Sequence, residues 1–267
     1  MDNLDTTQQL RASVGTYNQV IFPHPENGIM MLALERRATV RKDGSVSIRS
    51  QPFGGGVRIL NPAPLQAIIG KIQFDSERSK EEQDFRILIP PSKWELIKEY
   101  CLHHLEFEDE DEIEIESGPD RELTEEFMEA INVKLNQRQY TVQPVGFVIE
   151  NNPVRSKNDY ALGQLTVHLY RVFKVQIIDL TLCQVMWSVS QLYSDRDLRE
   201  RALQNFENGG KGRANTMLTL PLSQVRESYL ALSPELRYRK IMIDNHELEE
   251  SVLAIFEDIE VPQYQRL

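Results

Sequence analysis

The chain has 267 residues and a formal net charge of −11, with 40% hydrophobic and 27% charged residues. This length accommodates one large domain with an insertion, or a small domain with an extension. The negative charge argues against a broad electrostatic contact with nucleic acid, because phosphate contacts require clustered Lys and Arg. No stretch approaches the roughly 20 apolar residues that cross a bilayer, and the first residues do not resemble a secretory signal. We therefore expect a cytoplasmic protein without a membrane contact.

The two cysteines, Cys101 and Cys183, lie far apart in the sequence. In a reducing compartment we expect two buried thiols in preference to a disulfide. No combination of Cys and His has the spacing of a zinc site.

The first predicted elements are two strands joined by a tight turn. Residues 28–40 contain an apolar run that ends at charged residues 35–37, which predicts a strand. Asp43-Gly44 forms the centre of a turn signal, and residues 46–48 then alternate apolar and polar as a half-buried strand does. This second strand leads into a glycine-rich loop at residues 53–57, where Gly54, Gly55 and Gly56 are consecutive.

Residues 60–115 are predicted to be an inserted segment. Prolines mark its start, and a Ser92-capped helix is expected from residue 93, where Trp94, Ile97 and Cys101 recur at helical spacing. The acidic residues 106–116 end in a strict alternation that could form a strand. A solvated acidic edge is the favoured interpretation of this run, and a metal cluster is the alternative.

The second half of the chain mixes strands and helices without a regular β-α-β alternation. Ser117 is expected to cap a helix that starts at Asp120 and ends near Leu135. The remaining expected elements are strands at 140–150 and 165–179 and helices at 196–205, 223–232 and 245–257. This order predicts an α+β fold, with a single domain over residues 1–267 and a helical extension at about 233–267.

The helix from Asp120 carries two distinct faces. At about 100° per residue, one face collects the apolar residues Leu123, Phe127, Ala130 and Ile131, and packs on a core. Another face collects the carboxylates Glu122, Glu125, Glu126 and Glu129. Like charges one turn apart repel each other, so either water solvates this face or a divalent cation binds it. Hard oxygen ligands suit Mg²⁺ or Mn²⁺.

The order of residues in this helix resembles the second half of the Nudix box, which reads Arg-Glu-apolar-x-Glu-Glu. Arg121, Glu122, Leu123, Glu125 and Glu126 match it in order. The resemblance implies a Nudix-like α/β/α sandwich with a mixed sheet, in which Glu122, Glu125 and Glu126 bind Mg²⁺ or Mn²⁺ and Arg121 orients them. It implies Arg121, Glu125 and Glu126 as the catalytic residues.

Flanking segments agree with the same resemblance, which covers about residues 18–232 in outline. A strand ending in arginine and the loop Gly54, Gly55 and Gly56 precede the helix, as in the family, and residues 218–225 resemble its last strand and following helix. Consecutive glycines let the backbone approach a ligand closely, so these three are expected to bind substrate.

Three departures from the box concern its first half and its end. About sixty residues separate Gly55 from Arg121, the first Glu of the box has no counterpart at Asn61 or Ile113, and Met128 replaces the Gly after the paired Glu. Two alternatives follow. Either the loop contains a large insertion and the helix still binds metal, or the site has lost its activity.

A second glycine-rich loop at residues 208–213 supplies Lys211 and Arg213, which could contact substrate phosphates, although a mobile surface loop is the favoured interpretation. The loop lacks the spacing of a P-loop. Glu207, directly before it, is a candidate fourth metal ligand or general base.

The expected function is Mg²⁺-dependent hydrolysis of a nucleoside diphosphate linked to another moiety, with a nucleotide-like small molecule as the partner. The first alternative is a catalytically inactive Nudix-like module that senses a nucleotide or binds a protein. The second is a purely structural interaction protein that uses residues 106–116 and the C-terminal helix. A homodimer or a protein partner could contact the inserted segment.

Overall fold

The computed structural model describes residues 9–106, 114–116, 118–156 and 161–267. The strands are β1 Leu10–Pro23, β2 Met30–Val40, β3 Val46–Gln51, β4 Gln73–Phe74, β5 Arg86–Ile89, β6 Tyr140–Arg155, β7 Leu165–Ile177, β8 Arg213–Pro221, β9 Ile241–Ile243, β10 His246–Leu248 and β11 Gln265–Arg266. The helices are α1 Ala63–Ile69, α2 Glu77–Glu81, α3 Trp94–Glu106, α4 Asp120–Ile131, α5 Leu180–Ser190, α6 Asp195–Glu207, α7 Leu222–Leu230 and α8 Pro234–Arg237. Short 3-10 helices lie at Pro91–Lys93, Gln137–Gln139 and Glu250–Ile255.

The strands form one mixed sheet, in which β6, β7, β1, β2 and β3 are successive neighbours. β1 pairs with β7 in parallel over eleven residue pairs, whereas β1–β2, β2–β3 and β6–β7 are antiparallel. β8 joins the sheet through β2, and β5 joins it through β1. The expected α+β fold with a mixed sheet is therefore confirmed.

Helices cover both faces of this sheet. Because side chains alternate along a strand, Val20 and Phe22 of β1 pack with Leu123 and Phe127 of α4 on one face. Ile21, on the opposite face, packs with residues of α7 and of the C-terminal segment. Within the described part of the chain, no helix is long and apolar enough to cross a membrane. Both cysteines are buried free thiols, as expected.

The inserted segment contributes to the main core. It contains α1, β4, α2, β5 and α3, and β5 extends the central sheet by pairing with β1 from Leu10–Ile89 to Ser13–Arg86. Leu65 and Ile97 of the segment share a buried cluster with Val14 and Leu169 of the sheet. At its end, Ile115 forms an isolated bridge with Ile59, while residues 107–113 and the expected cap Ser117 lie outside the described residues.

The C-terminal segment corrects one prediction. A helix was expected at 245–257 within a helical extension at 233–267, but only the four-residue α8 and a 3-10 helix occur there, separated by the β9–β10 hairpin. Asp244 and Asn245, with φ of 48° and 65°, form its two-residue turn. Left-handed φ at both central positions is the geometry of a type I′ hairpin turn, which prevents a helix from starting at Asn245.

Candidate functional site

The glycine-rich loop lies directly on helix α4. The Gly54 N–H donates a hydrogen bond of 2.5 Å to Glu126 Oε2, and Arg121 Nη2 donates one of 3.0 Å to the Gly56 carbonyl. Arg121 and Glu126 occupy consecutive turns of the helix, so the loop is attached at two points. The inserted segment therefore separates the loop from the helix in sequence without separating them in space.

Each of the three glycines occupies a position where a side chain would collide. At Gly54, φ is +145°, and a Cβ would lie 2.1 Å from the backbone carbonyl oxygen of Thr16. A Cβ at Gly55 would lie 2.1 Å from Glu122 Oε2, and one at Gly56 would overlap with Asp84 Oδ1. The loop backbone therefore passes close to two carboxylates that come from different parts of the chain.

Arg121 connects four groups around this loop. Its Nε donates to both carboxylate oxygens of Glu116 at 2.8 Å, and its Nη1 lies 2.5 Å from Glu122 Oε1 and 3.4 Å from Glu125 Oε2. Partial burial lowers the pKa of Arg121, but Glu122 and Glu116 outweigh it and raise this pKa above its usual value. Arg121 therefore contacts three carboxylates and the Gly56 carbonyl at the same time.

Glu116 is a residue that the sequence analysis missed as a site residue. It stands five residues before Arg121, whereas the box places its first Glu eight residues before, and it was assigned to a solvated acidic edge. In the structure it makes the two-oxygen contact with the Arg121 guanidinium. The sequence signal that could have identified Glu116 is an acidic residue shortly before Arg121. The motif does not include an acid at this spacing.

Glu126 is the most buried carboxylate of α4. Desolvation, followed by the nearby charge of Glu35, raises the pKa of Glu126 well above its usual value. Glu35 is fully buried in β2 and accepts hydrogen bonds from Arg37 Nη2 at 2.6 Å and from Gln51 Nε2 at 2.9 Å. Arg37 also lies 4.0 Å from Glu126. Strand β2 thus provides a second buried acid, Glu35, and its counter-ion, Arg37. The sequence pattern did not single out either residue.

The other carboxylates of the helix have different surroundings. Desolvation raises the pKa of Glu122, and Arg121 opposes this shift. The Glu125 side chain is 55% exposed, and Glu129 accepts a hydrogen bond of 2.7 Å from Asn215 of β8. The carboxylates of the predicted face therefore differ in burial: Glu126 is buried, Glu122 is partly buried, and Glu125 and Glu129 are exposed.

Asp84, contributed by the inserted segment, is the second missed acid. Its Oδ2 forms an ion pair with Arg86 at 2.7 Å, while Oδ1 is buried next to Gly56 without a partner among the described residues. Desolvation raises the pKa of Asp84, and Arg86 opposes the shift. A buried acceptor without a partner is costly, so this oxygen is available to a cation or to a donor.

Glu122, Glu126 and Asp84 are desolvated acids that lie around one loop. Their carboxylate oxygens are the type of ligand that a hard divalent cation prefers. In the present conformation, no three Asp, Glu, His or Cys side chains of the described residues converge on one point. Two contacts keep these carboxylates apart: Glu122 forms an ion pair with Arg121, and Glu126 accepts a hydrogen bond from the Gly54 N–H. Binding of a cation therefore requires that at least one of these side chains rotates.

The predicted substrate-binding residues divide into two groups. Gly54, Gly55 and Gly56 lie against α4, and the Gly55 carbonyl accepts a hydrogen bond from the Thr16 N–H at 2.9 Å. Lys211 and Arg213 line a cavity of about 520 Å³ that also includes Glu129. Glu207 is exposed at the last position of α6 and is not among the residues that line this cavity.

The chain matches no protein-family model, no curated protein and no solved structure. The function is therefore inferred from the motif at residues 121–126 and from the contacts that its side chains make.

Proposed function

We propose that the chain is a Nudix-type Mg²⁺- or Mn²⁺-dependent hydrolase that cleaves a nucleoside diphosphate linked to another moiety. The observation that carries the proposal is the pair of hydrogen bonds from Gly54 to Glu126 and from Arg121 to Gly56. They join the glycine-rich loop to the carboxylate face of α4 across the inserted segment. This contact supports the proposal that the loop and the carboxylates of the helix act as one site.

In this proposal, Glu122, Glu125 and Glu126 would hold the cation. When bound, a divalent cation polarises a phosphoanhydride and lowers the pKa of a water molecule. Arg121 supports the site by fixing Glu116 and the Gly56 carbonyl, so that Glu122 stays next to the loop. Glu125, which is the most exposed of the three, can rotate toward substrate without breaking a buried contact.

The test is hydrolysis of a panel of ADP-ribose, NADH, dinucleoside polyphosphates and nucleoside triphosphates, with Mg²⁺, Mn²⁺ or EDTA, followed by chromatography of the products. We expect turnover of at least one compound with a cation, and a loss of about 10²–10³-fold in kcat/KM for Glu126→Gln. Glu227→Gln is the matched control, because Glu227 is an exposed glutamate of α7 outside the site. Absence of turnover on the whole panel would refute the proposal, as would Glu125→Gln and Glu126→Gln variants equal to the control.

A catalytically inactive nucleotide-binding or protein-binding module is the second candidate, and one observation favours it. Arg37 lies beside Glu35 and Glu126, and Arg121 lies beside Glu116 and Glu122. Two arginines thus already offset the repulsion between these acids, which a cation would otherwise do. This candidate predicts that a nucleotide raises the Tm without being hydrolysed.

A further inference from the structure

A polar cavity of about 520 Å³ lies beyond the C-terminal end of the carboxylate face of α4. Four cationic side chains line it: Arg201 from α6, Lys211 and Arg213 from the adjoining loop and strand, and Arg78 from the inserted segment. The carboxylate in its wall is Glu129, whose Oε2 is held by Asn215. In a chain with a net charge of −11, this local excess of positive charge selects for an anionic ligand.

Three of these cations have no acidic partner within the described residues. Lys211 and Arg213 form no ion pair there, and the Arg201 guanidinium lies over the ring of Tyr193, 4.4 Å from its centroid. Arg78 pairs with Glu82 at 2.9 Å, but both side chains are exposed.

The loop that presents Lys211 and Arg213 is held in place by Asn205. Its Oδ1 accepts hydrogen bonds from the Gly212 N–H at 2.9 Å and from the Arg213 N–H at 3.3 Å. Gly212 has φ of +65°, a conformation that a side chain would strain. The backbone that carries the two cations is therefore held in place before a ligand binds, which lowers the entropic cost of binding.

We propose that this cavity binds a phosphate group additional to the pyrophosphate that is cleaved. The inference rests on the proposed function for the place of the reacting bond, near Glu122 and Glu126. Glu129 follows Glu126 by three residues, so the cavity begins about 4.5 Å further along the helix axis. Arginine and lysine in a fixed arrangement match phosphate oxygens in charge and geometry. The additional phosphate belongs either to a longer polyphosphate chain or to a ribose.

The first experiment measures binding without turnover. Inorganic tripolyphosphate is titrated calorimetrically into the full chain in EDTA at low salt, and we expect one site. Lys211→Gln/Arg213→Gln should weaken binding at least tenfold, and Arg201→Gln should weaken it in the same direction. The matched control is Lys71→Gln/Arg138→Gln, which removes the same two charges from exposed positions outside the cavity. Absence of binding, or equal weakening in the control, would overturn the inference.

The second experiment identifies the source of the phosphate by comparing turnover of two substrate pairs. One pair is a dinucleotide with and without a ribose 2′-phosphate, and the other is nucleoside polyphosphates of increasing chain length. We expect at least a tenfold preference in kcat/KM within one pair, which disappears in Lys211→Gln/Arg213→Gln. Turnover without any such preference would overturn the inference. Tripolyphosphate binding without any turnover would instead refute the hydrolase and leave the cavity's anion binding supported.

Discussion

Substitution of Gly54 by alanine tests whether the loop geometry is a requirement of the fold. A Cβ at this position would lie 2.1 Å from the carbonyl oxygen of Thr16, which belongs to the backbone of β1. The loop cannot move away from β1 without breaking the hydrogen bonds from the Thr16 N–H to the Gly55 carbonyl and from the Gly54 N–H to Glu126. The substitution should therefore affect stability and the site together.

The expected loss follows from the two terms that the structure provides. A non-glycine residue at φ of +145° costs about 1–3 kcal/mol in backbone strain. Overpacking against a fixed backbone atom adds about 1–3 kcal/mol. A central value of about 4 kcal/mol corresponds to a fall in Tm of about 8–16 °C for a chain of this size.

Gly55→Ala is the matched comparison, measured by differential scanning calorimetry and urea unfolding. Its Cβ would also lie 2.1 Å from another atom, but that atom is Glu122 Oε2, at the end of a flexible side chain. We expect Gly55→Ala to lose less than about 1 kcal/mol while displacing the Glu122 carboxylate and reducing any hydrolysis. A Gly54→Ala variant as stable as wild type, or two equal losses, would show that this description of the loop is wrong.

Two further predictions concern the charges of the site. Because burial and Glu35 raise the pKa of Glu126, the folded state binds a proton more tightly than the unfolded state, whose value is about 4.3. The contribution of Glu126 to stability is thus present below that value and is lost as pH rises through the folded pKa. Glu126→Gln should therefore gain stability relative to wild type between pH 5 and pH 8 in urea unfolding; parallel pH profiles would contradict this. Arg121→Gln should cost about 2–4 kcal/mol, because it leaves Glu122 and Glu116 without their cation. Millimolar Mg²⁺ should raise the Tm of both wild type and this variant, and the absence of any effect on either would argue against a cation at these acids.

The site could be predicted from the sequence where the signal is local. The start of α4 at Asp120 and its apolar face are set by periodicity, and the structure confirms both. Its end differs from the expected Leu135, because Asn132 adopts φ of +56° and terminates the helix. Local sequence patterns therefore predicted which acids share one face of the helix, but not how deeply each acid is buried.

The partners of these acids could not be predicted because they arrive through long-range pairing. Asp84 reaches Gly56 because β5 of the inserted segment pairs with β1, and Glu35 reaches Glu126 because β2 lies beneath α4. Periodicity along one element contains no information about which strand lies beside it. Glu116 was also missed as a site residue, because the motif has no acid at its position, although its carboxylate lies 2.8 Å from Arg121 Nε.

β1 and α5 are among the elements that were missed, because their patterns are mixed. β1 is buried on both faces and includes Thr16 and Asn18, so it does not alternate as a half-buried strand does. α5 is rich in residues that favour strands, and residues 165–179 were expected to form one continuous strand. Asp179 ends that strand by capping the helix, since its Oδ1 accepts a hydrogen bond of 2.7 Å from the Leu182 N–H.

The contact between Gly54 and Glu126 joins residues 72 positions apart, and this separation has a consequence for folding kinetics. The intervening segment also contains β5, which pairs with β1. Contacts of such high sequence separation slow folding, whereas each doubling of loop length costs only about 0.6 kcal/mol at equilibrium. Changes in the length of an exposed part of the segment should therefore alter how fast the charged centre assembles far more than how stable it is once assembled.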